Sequence, residues 1–158
     1  MKQLATYLND HLAGAMAALE LLEKLMKMQE GNPLEKFFRE LHTEISGDRD
    51  VLKKLIHRFT SESKVRQAMT WLMEKFGRIK IKASGEDGLG LLEALEVLEL
   101  GITGKQLLWR ALSASLGESP LLRGIDLGQL EEQAIRQQER VETLRLETAR
   151  ETFLRSGK

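Results

Sequence analysis

The chain has no cysteine, so disulfides, thiolate chemistry, cysteine-ligated zinc and iron–sulfur clusters are excluded. It has only two prolines and few aromatic residues. Long runs rich in Leu, Ala, Glu, Lys and Arg therefore meet little to interrupt a helix. Neither sign of charge is in excess, because 24 Lys and Arg balance 24 Asp and Glu. No overall field draws the chain to nucleic acid or to an anionic membrane. Long apolar runs are missing too, since charges interrupt every segment before it reaches bilayer length. The N-terminal apolar stretch is broken by Asp10 and His11, which is unlike a signal peptide, and a cytoplasmic setting is the expectation.

What remains is a hydrophobic content of 42% in 158 residues, enough for one domain with a real core. The expectation is a single helical-bundle domain over 1–158. Apolar residues recur at alternating spacings of three and four. The first helix spans about 2–29, with Leu8, Leu12, Ala15, Leu19, Leu22 and Met26 in its seam. Gly31-Asn32-Pro33 ends it and opens a second helix over about 33–59, with Asn32 as N-cap. Phe38, Leu41, Ile45, Asp48, Leu52, Leu55 and Phe59 share one line of that helix.

A short helix over about 62–76 follows, then the alternating Arg78-Ile79-Lys80-Ile81-Lys82, read as extended chain. The third long helix, about 86–115, carries a large stripe (Leu91, Leu95, Leu98, Ile102, Trp109, Leu112) and a mostly small one containing Gly101 and Gly104. Glycines inside a helix suggest the close approach of another backbone. Asp126 caps a fourth helix over about 126–154.

The second and fourth helices read as one pattern written twice. Leu41–Leu52 aligns without gaps on Leu130–Val141, pairing Leu41 with Leu130, Ile45 with Ala134 and Leu52 with Val141. Asp48 and Gln137 fall at the same place in this frame, in the middle of each seam. Polar groups at mid-core either hold something or fix the register of the bundle. A buried Asp48 needs an Arg, Lys or His partner, and Gln137 would plug the same layer.

This layout resembles the ferritin-like superfamily: two helical hairpins joined by a long crossover, with a pseudo-repeat between the second and fourth helices. The resemblance spans nearly the whole chain and implies an all-α, ferritin-like up-down-up-down four-helix bundle. It also implies where a di-metal centre would lie, with Glu-x-x-His on the second and fourth helices and a lone Glu on each of the others. Here the corresponding positions hold Ile45-x-x-Asp48 and Ala134-x-x-Gln137, and none of the three histidines follows a glutamate by three. A ferroxidase is disfavoured, and no cofactor is expected. The sequence reading is a non-catalytic bundle that acts as a structural or protein-interaction module and self-associates or binds a protein partner.

A second reading keeps a reduced metal or small-ligand site in the core, drawn from His11, Glu44, Asp48, Glu96 and Gln137, with iron, manganese or zinc as the ion. A third takes the Arg- and Glu-rich fourth helix as a docking face. The basic cluster Arg78, Lys80 and Lys82 is a weak nucleic-acid signal, and Gly101-Ile102-Thr103-Gly104-Lys105 lacks phosphate-loop spacing.

Overall fold

A computed structural model describes residues 2–59 and 88–155. They form four long helices: α1 (Lys2–Met28), α2 (Pro33–Phe59), α3 (Gly88–Leu116) and α4 (Leu127–Arg155). A 3-10 turn at Pro120–Leu122 lies between α3 and α4, and no strand occurs among the described residues. The expected helix over 62–76 and the extended 78–82 segment lie outside the described residues.

Local chemistry sets the ends. Asn32 Oδ1 accepts from the Leu34 N–H at 3.0 Å, and Pro33 begins α2, where its missing N–H costs nothing. Gly31 has a φ of +79°, a region that glycine enters without strain, and its N–H donates to Glu35. Asp126 Oδ1 accepts from Gln129 N–H at 2.9 Å, which caps α4 as its side chain suggests. Arg58 donates to the carbonyls of Leu121 and Arg123 at 2.8 and 3.1 Å, pinning the α3–α4 connection to the end of α2.

Two apolar clusters fill the bundle. One joins Leu8 and Leu12 of α1 with Leu52, Leu55 and Ile56 of α2, Leu108, Trp109 and Leu112 of α3, and Leu122 and Leu127. The other joins Leu19, Leu22 and Leu25 of α1 with Phe38, Leu41 and Ile45 of α2, Leu95, Leu98 and Ile102 of α3, and Ala134 and Val141 of α4. The first half of α1 thus meets the second halves of α2 and α3. It follows that α1 and α4 run one way and α2 and α3 the other, which corrects the expected up-down-up-down alternation: the connection between α2 and α3 is long enough for α3 to start from the far end of the bundle.

The large stripe of α3 is buried or packed on the core, as its spacing suggests. The small stripe (Ala94, Val97, Gly101, Gly104, Leu108, Ala111) divides: Ala94 and Leu108 are buried, whereas Val97, Gly101 and Ala111 are exposed, and a Cβ added at Gly101 or Gly104 would meet nothing within 4 Å. Within the chain these glycines meet no neighbouring backbone; they face open space.

Candidate functional site: a polar layer beside an apolar pocket

The two clusters meet at mid-bundle. On α2 the join falls between Ile45 and Leu52, and on α3 between Ile102 and Leu108. Asp48 and Lys105 occupy those gaps. Asp48 is 3% exposed and Gln137 is fully buried. Lys105 donates to Asp48 Oδ2 and to Gln137 Oε1, and Gln137 Nε2 lies 3.4 Å from the same carboxylate oxygen. The partner that Asp48 needs is therefore Lys105.

Taking an ammonium and a carboxylate out of water is costly unless each finds the other. Burial pulls the Lys105 pKa below the usual lysine range, and the ion pair and hydrogen bond to Asp48, then the charge of Glu44, oppose that. Lys105 uses two of the three donors an ammonium offers. Asp48 Oδ1 takes no hydrogen bond among the described residues, because both its donors go to Oδ2.

Beside this layer lies a pocket of about 190 Å³. Its walls are Gly14, Ala15 and Ala18 of α1, Ile45, Asp48 and Leu52 of α2, and Gly101, Ile102, Gly104, Lys105, Leu108 and Trp109 of α3; Asp10, His11 and Arg49 are also in contact. The space exists because α1 is small where it faces the layer. A Cβ at Gly14 would likewise meet nothing within 4 Å. Each glycine in a helix interior costs about 1 kcal/mol against alanine, and here no packing contact offsets it. Trp109 is 1% exposed, and its indole N–H has no acceptor among the described residues.

The sequence candidates divide. Asp48 and Gln137 share the layer, and His11 and Asp48 share the pocket. His11 packs edge-on against Tyr7 with ring centroids 4.6 Å apart. Burial lowers its pKa, with Asp10 opposing. Glu44 is bound instead by Arg140 at 2.7 Å, and Glu96 lies 3.5 Å from Arg145. His42 is half-buried 3.3 Å from Glu23, and His57 is exposed.

The residue that the sequence reading missed is Lys105, set aside there as part of a failed phosphate loop. Its signal was present. The large stripe of α3 steps from Ile102 to Trp109, and position 105 is the seam position left out between them.

A divalent cluster fits this donor set poorly. One carboxylate and one amide converge here, and a lysine ammonium already stands between them as the compensating cation. Among the described residues no group of three or more His, Asp or Glu is placed to hold a metal ion. No family model, curated protein or solved structure matches the chain.

Proposed function

We propose that this chain is a ferritin-like bundle in which an internal ion pair stands where a di-metal centre would lie, and that it acts without catalysis, by contact with protein surfaces. The observation that carries this reading is Lys105. A cation supplied by the chain itself balances Asp48 and removes the charge imbalance that would recruit a metal. Ferritin-like connectivity, with one long crossover, is supported by the parallel run of α2 and α3. We place the protein in the cytoplasm as part of the same proposal.

The contact surface we assign is the outer face of α3. Val97, Leu100, Gly104, Leu107, Ala111 and Ala114 recur at alternating spacings of three and four, and Leu100 and Leu107 are 73% and 54% exposed. Such a row suits another helix, because small residues let two backbones approach. A second copy of the chain is the partner we favour. In a two-fold pairing, the acidic first half of α3 (Glu93, Glu96) would lie against the half carrying Arg110.

Light scattering at micromolar concentration tests this. A dimer is expected, and Leu100→Glu with Leu107→Glu should give folded monomers. A wild-type monomer would remove self-association from the account. The alternative of a small-ligand site is favoured by one specific observation, the pocket, which also supports a distinct inference.

A further inference from the structure

We propose that the pocket beside Lys105 binds a small uncharged alcohol: an apolar body about the size of one ring, carrying a single hydroxyl. The inference is independent of self-association.

Size gives the first constraint. A buried apolar cavity of about 150 Å³ accommodates benzene. This pocket, at about 190 Å³, has room for one ring and a short substituent. Its walls supply the second. Ala15, Ala18, Ile45, Leu52, Ile102 and Leu108 offer carbon surface, and the glycines keep it open without touching anything themselves.

Polarity gives the third. Two groups on residues that line the pocket have capacity left unused by the described residues: the remaining N–H of Lys105 and Oδ1 of Asp48. One donor and one acceptor match a hydroxyl, which accepts and donates at once. Charge narrows the class further. Lys105 and Asp48 already cancel and Arg49 at the pocket is held by Asp50, so a carboxylate on the ligand would find no free cation there.

The test uses the full chain and three probes: benzyl alcohol, toluene and benzoate. Affinities are read by ligand-observed NMR titration, with the melting temperature recorded in parallel. Benzyl alcohol should bind saturably, one per chain, at least tenfold tighter than toluene, with benzoate weakest. Gly14→Leu, on α1 and away from the contact row of α3, should fill the pocket and abolish binding of all three in a folded protein. The triple variant Asp48→Leu, Lys105→Met, Gln137→Leu should keep toluene binding and lose the tenfold preference for the alcohol. The proposal is overturned if no probe saturates, if toluene or benzoate binds as tightly as benzyl alcohol, or if binding survives Gly14→Leu.

Discussion

At the residue scale the account rests on three side chains that satisfy one another. Lys105→Met leaves Asp48 buried without its cation, and breaking a buried pair in this way costs about 3–5 kcal/mol. Replacing the whole layer by Asp48→Leu, Lys105→Met and Gln137→Leu should recover most of that loss, since apolar substitutes for a buried ion pair are often neutral or stabilising. Urea unfolding of the two variants checks both statements, and a triple variant as unstable as the single one would contradict them. His11 gives a pH prediction. Its pKa in the folded chain is below the ordinary 6.5 because the ring is buried. The unfolded chain therefore binds more protons between those two values, so stability falls as pH drops from 6.5 towards the folded pKa and levels off below it. The stability difference between the wild type and His11→Gln, measured across pH, should change only in that window. Asp48 and Gln137 were legible as polar intrusions in apolar seams. Lys105 left only the fainter signal of its seam position between Ile102 and Trp109, and a lone lysine among helical glycines looks solvated until α2 and α4 are placed around it.

Elements were the most legible part of the sequence. The ends of α1, α2 and α4 follow from Gly31, Asn32, Pro33 and Asp126, each acting through a backbone preference or a cap that needs no tertiary context. The seams of α1, α2 and α4 were also recoverable, because their periods state which face is apolar. α3 was only half legible: its large stripe faces the core as its spacing suggests, while the small stripe splits, with Ala94 and Leu108 buried and Val97, Gly101 and Ala111 exposed. Gly101 and Gly104 suggested a tight crossing and instead border a pocket. Since a methyl group meets nothing at either site, Gly101→Ala and Gly104→Ala should each raise stability by about 1 kcal/mol through helix propensity alone. Thermal melts read this directly, and destabilisation at either position would mean that a contact is missing from the account.

On the scale of the whole molecule, the bundle joins two apolar clusters through a layer that carries its own countercharge. No helix of the described residues is long and apolar enough to cross a membrane. The pseudo-repeat placed Asp48 of α2 and Gln137 of α4 in one layer in advance, but the parallel run of α2 and α3 departs from the alternation expected, since local periodicity carries no direction. The most direct test of the ion pair as the substitute for a metal centre is elemental mass spectrometry. The protein is purified without chelator or affinity tag and exposed to ferrous, manganous and zinc ions. The account predicts far less than one equivalent of any metal per chain. A stoichiometric metal that disappears in Asp48→Ala would contradict it.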